Sequence, residues 1–161
     1  MSEPYEEILA GEITLRLPPG ERHELVLSRL HAAVFASVQK SVVARLLERR
    51  SQIRVTRTTA LRPDLALVTA AGKKLWLAVE VVSSDDHQAD TVAKKQIYEE
   101  IRLPRLWILD PRYDNVEVYH ATEFGLRLVG ILAGREVLEE RLLPGFRLVV
   151  AELFAPPPSG A

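Results

Sequence analysis

Cysteine is absent from this 161-residue sequence, which excludes disulfides, thiolate nucleophiles and Cys-based zinc sites. No apolar run approaches the ~18 residues that a membrane span needs, so the chain reads as soluble. The opening MSEPYEEILAGE has neither the basic nor the apolar region of a signal peptide, and a cytoplasmic location is the expectation. Missing too are a GxxxxGK[ST] phosphate loop, a GxGxxG fingerprint and a GxSxG elbow. Nucleotide-driven, Rossmann-type and serine-hydrolase chemistry thus have no support, and no nucleotide cofactor is expected. Net charge is nearly absent, at −1, which argues against attraction of the whole molecule to nucleic acid. There is no internal repeat, heptad run or linker. One domain over 1–154 is expected, with APPPSGA at 155–161 as a flexible tail.

What is present is an ordinary globular composition, 47% hydrophobic and 27% charged. A domain of this length buries roughly 70% of the surface its unfolded chain exposes, so one core suffices. Charge is unevenly placed: from residue 40 to 62 the bases are Lys40, Arg45, Arg49, Arg50, Arg54, Arg57 and Arg62, and Glu48 is the only acid. Such a run marks either a phosphate-facing surface or a solvated helix face and edge strand.

Alternation at Ile13, Leu15 and Leu17 predicts a short strand ended by Pro18-Pro19-Gly20. A helix follows from about Glu21, with Leu27, Leu30, Val34 and Val38 on one stripe. Val42, Leu46 and Leu47 extend that pattern, so the helix is expected to continue toward Arg50, although Val-Val also suits a strand. QIRVTRTTALRPDLALV reads as two strands separated by a bend at Pro63. Ala70 to Lys74 forms a turn. LWLAVEVVS, residues 75–83, has the continuous apolar character of a strand buried on both faces. A polar stretch containing His87 leads to a helix from about Asp90 to Ile101, then to strands RLWILD and VEVYH. Shorter strands are expected in the remainder, and Trp76 and Trp107 read as packing residues.

Glu80 is the most informative position. A charge inside LWLAVEVV would cost several kcal/mol of desolvation if left unpaired. Three compensations are open: protonation, a basic partner, or a metal ion shared with a second carboxylate. Asp64, after Pro63 at the head of LALV, offers that second carboxylate. Antiparallel pairing about the Gly72 turn would bring the two acids level, and two oxygen ligands on one sheet edge suit Mg²⁺. The alternative is that Asp64 merely caps a turn while Glu80 points outward from an edge strand.

RPDLALV, AVEVVS, the Asp90, Lys94 and Tyr98 pattern at spacings of four, LPRLWILDP, VEVYH and LPGFRLVVAELF together resemble the restriction endonuclease family often called Uma-two, a branch of the PD-(D/E)xK superfamily. The resemblance runs from GEITLRLPPGERH to AELF. It implies an α/β, restriction-endonuclease-like fold with a mixed central β-sheet flanked by helices. It also implies that Asp64 and Glu80 ligate a metal, with the backbone carbonyl of Val81 completing the protein ligands. The superfamily lysine usually stands two residues after the Glu, and here that position is Val82. Lys94 matches the alternative position on the following helix, with Asp90 and Tyr98 supporting that face. His23 and Glu24 open the first helix where they could line the cleft, or simply cap and pack.

The resulting expectation is a Mg²⁺-dependent enzyme, with Mn²⁺ able to substitute, cleaving DNA with Asp64, Glu80 and Lys94 as its catalytic set. Arg54, Arg57 and Arg62 would guide the backbone, and a homodimer would cut both strands. The rival is a nuclease-fold binding or assembly module that does no chemistry, favoured by Val82 and the near-zero net charge.

Overall fold

A computed structural model describes residues 3–82 and 88–158. The chain opens with a hairpin, β1 (Tyr5–Leu9) and β2 (Glu12–Arg16), followed by helix α1 (Glu21–Val38). Then come β3 (Ala44–Leu46), β4 (Ile53–Arg54), β5 (Ala60–Leu61), β6 (Leu65–Thr69) and β7 (Leu75–Val81). Helix α2 (Gln88–Glu100) precedes β8 (Arg105–Asp110), β9 (Asn115–Thr122), β10 (Gly125–Ala133), β11 (Val137–Glu139), β12 (Arg147–Val149) and the short α3 (Val150–Phe154).

Six strands form the central sheet in the order β10-β9-β8-β7-β6-β3. It is mixed: β7 and β8 run parallel, joined through α2, while the other pairs are antiparallel. The strand alternation sorts its two faces. Leu77, Val79 and Val81 pack toward α1 with Leu27, Leu30 and Val34, joined by Trp107 and by Phe154 of α3. Ala78 and Val82 lie on the other face with Tyr98 of α2, Leu106 and Ile108. The sheet is thus covered on both sides, as the valine-rich run of β7 requires. Both tryptophans pack as expected, Trp107 stacking on Phe146 with ring centroids 5.7 Å apart. No helix among the described residues is long and apolar enough to cross a membrane.

The second sheet, β2-β1-β5-β4, is assembled from the N-terminal hairpin and the segment before Pro63. Two expectations are corrected here. Helix α1 stops at Val38, and the segment expected to prolong it holds β3, whose Ala44, Arg45 and Leu46 pair with Thr69, Val68 and Leu67, with Val42 before that strand and Leu47 after it. Their apolar spacing matched a helix, but the open edge of β6 supplies hydrogen-bond partners that only an extended chain can use. The run QIRVTRTTAL, expected as one strand, is two short strands paired to each other around residues 55–59.

The Ile13, Leu15, Leu17 alternation is that of a strand, yet all three side chains are exposed. The inward face of β2 carries Arg16 instead. That inversion follows from what lies beneath the hairpin: a cluster of charges.

Candidate active site

Glu80 lies one residue before the end of β7, on the face that looks at α2. Extending the Leu65↔Val79 register by one rung sets Asp64 level with Glu80. Glu80 lies on β7 and Asp64 immediately precedes β6, both interior strands of the six-stranded sheet, which corrects the expectation of a sheet edge. Glu80 is 8% exposed and Asp64 3%, so neither acid points outward into solvent.

Both oxygens of Glu80 accept short hydrogen bonds from α2. Lys94 Nζ donates to Oε1 at 2.7 Å, and the Tyr98 hydroxyl donates to Oε2 at 2.6 Å. The spacing of four puts the two donors one helical turn apart on the buried face of α2. Asp90 belongs to the same helix, and its side chain lies outside the described residues, as does His87.

Asp64 is held from different directions. The Val81 N–H donates to its Oδ2 at 2.8 Å and Arg50 Nε to its Oδ1 at 3.1 Å, while His23 Nε2 stands 3.5 Å from Oδ1. His23 is buried on the first turn of α1. Its neighbour Glu24 pairs with Arg50 Nη2. Val81 therefore joins this group through its N–H.

Four participants were not singled out from sequence. Glu7, on β1, is fully buried and accepts from Arg16 Nε at 2.8 Å, from the Arg62 N–H at 2.7 Å and from Lys94 Nζ at 2.8 Å. Arg16, Arg50 and Tyr5 complete the surround, the Arg50 guanidinium lying 5.8 Å from the Tyr5 ring centroid. The available signal was the alternation of YEEIL, which turns Tyr5, Glu7 and Leu9 to one face. Nothing in that pentapeptide says the face is turned toward a lysine almost ninety residues away.

Of the three arginines expected to meet a nucleic acid, Arg54 and Arg57 are exposed on and beside β4. Arg62 is tied inward, its Nη1 donating to the Arg50 carbonyl at 3.0 Å.

The electrostatics follow from burial. Loss of water pushes the Glu80 carboxyl up, and although Lys94 opposes this, the negative charges of Asp64 and Glu7 add to it, leaving it at about 7. Burial also acts to raise Asp64, but His23, the Val81 N–H and Arg50 outweigh it and hold its carboxyl below the usual range. Glu7 is likewise held low, Lys94 overcoming its desolvation. Desolvation disfavours the Lys94 ammonium, yet Glu80 and Glu7 prevail and raise its pKa. Lys94 is a cation throughout the neutral range.

These side chains enclose a cavity of about 30 Å³, lined among others by Tyr5, Glu7, His23, Asp64, Glu80 and Lys94. That is room for about one water or one small cation. Among the described residues no three His, Cys, Asp or Glu side chains are grouped to cage a metal ion by themselves. Two carboxylates on one small cavity nevertheless fit a hard cation that keeps waters for its remaining positions, and each acid retains unused lone pairs.

A family model described as "Uma2: Putative restriction endonuclease" matches residues 2–151. The chain belongs to that family. Its fold is shared with the crystal structure described as "a putative nuclease belonging to DUF820 from Anabaena variabilis ATCC 29413". The two are 15% identical with a TM-score of 0.78, covering 95% of this chain and 91% of that one. Likeness at that identity carries the fold: a mixed sheet flanked by helices, as the sequence resemblance implied. No curated protein matches this chain. In this Uma2 chain, then, Val82 stands two residues after Glu80, and the amine beside that acid comes from α2.

Proposed function

We propose that this Uma2 chain is a Mg²⁺-dependent endonuclease that hydrolyses DNA phosphodiester bonds, with Mn²⁺ able to substitute. The observation that carries the reading is the convergence of Asp64, Glu80 and the Lys94 ammonium on one small cavity. A structural salt bridge needs no second acid and no cavity.

Asp64 and Glu80 would hold the ion, with the Val81 carbonyl as a third protein ligand. Bound there, it supplies Lewis acidity toward the scissile phosphate and its attacking water. Lys94 is charged and therefore acts as a donor: its Nζ steadies a phosphate oxygen or orients the water and takes no proton from it. Tyr98 fixes the carboxylate of Glu80 by its hydrogen bond, and Asp90 supports the same helix. His23 and Arg50 keep Asp64 ionised and aimed, and Glu24 fixes Arg50. The exposed Arg54 and Arg57 guide the DNA backbone from the neighbouring sheet, and Arg62 frames the site behind them. A homodimer in the cytoplasm would present two such sites, one per strand.

Incubation of the purified chain with DNA and Mg²⁺ or Mn²⁺ tests the reading. Cleavage is expected, and it should vanish in Asp64→Ala and Glu80→Ala variants that keep the parent circular dichroism. Equal cleavage by parent and variants removes the assignment.

One observation favours a second reading, a nuclease-fold module that binds or assembles without chemistry: both Glu80 oxygens are already taken by Lys94 and Tyr98. Calorimetric titration with Mn²⁺ separates the two. The silent module shows no heat that depends on Asp64 and Glu80.

A further inference from the structure

The geometry points to Glu7 as the positioning residue for Lys94: a carboxylate outside the two strands that carry the acids, holding the ammonium from behind so that Glu80 is not its sole counter-ion. This rests on the nuclease reading above for its catalytic consequence, and on the coordinates alone for the placement.

Lys94 Nζ stands 2.8 Å from Glu7 Oε2 and 2.7 Å from Glu80 Oε1. An amine gripped equally from two sides has its direction set by both. Glu7 is itself immobilised. Arg16 Nε takes Oε1, while Oε2 accepts the Arg62 N–H together with the lysine. Arg62 in turn donates to the carbonyl of Arg50, whose Nε reaches Asp64. One connected path therefore runs from Lys94 through Glu7, Arg62 and Arg50 to Asp64. The N-terminal hairpin is a strap that fixes the lysine and the second acid relative to one another.

Charge explains why such a strap is useful. A lone Lys94–Glu80 pair would spend the ammonium on that carboxylate and weaken it as a cation ligand. Sharing the ammonium with Glu7 divides its hydrogen bonds between two carboxylates and fixes Nζ beside the cavity. Glu7 has no exposed surface and borders the cavity beside Lys94, where its part is to position that ammonium.

The test uses the full chain with Glu7→Gln, which keeps shape and accepting capacity but removes the charge, and with Glu7→Asp as the conservative rescue. Glu6→Gln, on the exposed face of the same strand, controls for net charge. The first readout needs no activity: hydrogen exchange of the Lys94 ammonium with water, read at neutral pH by ¹H–¹⁵N NMR. Expected is faster exchange of that ammonium in Glu7→Gln, partial return of protection in Glu7→Asp, and no change in Glu6→Gln. The second is calorimetric Mn²⁺ affinity, expected to fall about 10- to 100-fold in Glu7→Gln, as outer-shell losses do. The third is cleavage, in which kcat falls while KM for a DNA duplex holds.

An unchanged exchange rate of the Lys94 ammonium in a folded Glu7→Gln protein overturns the inference, as does a drop in melting temperature with Mn²⁺ affinity and kcat intact, which marks a hairpin anchor. If the ammonium loosens as expected but no variant or parent cleaves DNA, the placement stands and the nuclease reading falls.

Discussion

Tyr98 and Glu80 are joined by a 2.6 Å hydrogen bond in which the phenol donates to Oε2, the oxygen that Lys94 leaves aside. Tyr98 has no exposed surface, so this bond has no competitor in water. Burial and the charge of Glu80 both raise the phenol's pKa, which keeps it a donor.

Tyr98→Phe removes that donor with little change of shape. An unsatisfied buried acceptor costs about 1–3 kcal/mol, so the urea midpoint should fall at neutral pH. An unchanged midpoint would show that the bond contributes nothing net.

Lys94→Met goes further, because it strands two buried carboxylates, Glu7 and Glu80, at once. Removing one partner of a buried ion pair costs about 3–5 kcal/mol. The loss should shrink in acid, where Glu80 takes up a proton and no longer needs the cation. Urea unfolding on both sides of neutrality reads this, and an equal loss at both would contradict it.

Glu80 also makes a prediction about pH. Its carboxyl is raised from 4.5 to about 7 in the folded chain, so the folded state binds the proton more tightly than the unfolded one. The stability linked to that proton is fully present below 4.5 and is lost as pH rises through 7. Glu80→Gln has no such proton to lose. The stability of the parent relative to the variant should therefore decline across that window and level off above it, and a difference that grows with pH refutes the raised value. Mn²⁺ must displace the same proton, so its affinity should climb over the same range.

Arg54→Ala with Arg57→Ala addresses the DNA contact. Each lost phosphate contact lowers the slope of log K against log salt by about 1. Weaker DNA binding with a shallower salt slope is expected, alongside unchanged Mn²⁺ affinity. Identical slopes would place the DNA elsewhere.

How far the sequence reached differs between elements. The strand at residues 75–81 and the helix carrying Lys94 and Tyr98 are visible in it, because a continuous valine-rich run and a spacing of four are local signals. The segment after Val38 misled for the same reason. Val42, Leu46 and Leu47 keep helical spacing, and only the open edge of β6 draws Ala44–Leu46 into a strand instead.

What the sequence determined by itself was the chemistry on offer: a cysteine-free chain, an acid inside an apolar strand, a second acid after Pro63, and a lysine one helical turn before a tyrosine. What only the tertiary structure decided was where the charges end. Of the three compensations open to Glu80, the fold realises a basic partner and a raised proton affinity, and a small cavity lies between Glu80 and Asp64. Glu7 enters only there, because a hydrogen bond between residues 87 positions apart is a property of the packed chain and leaves no periodicity in the sequence.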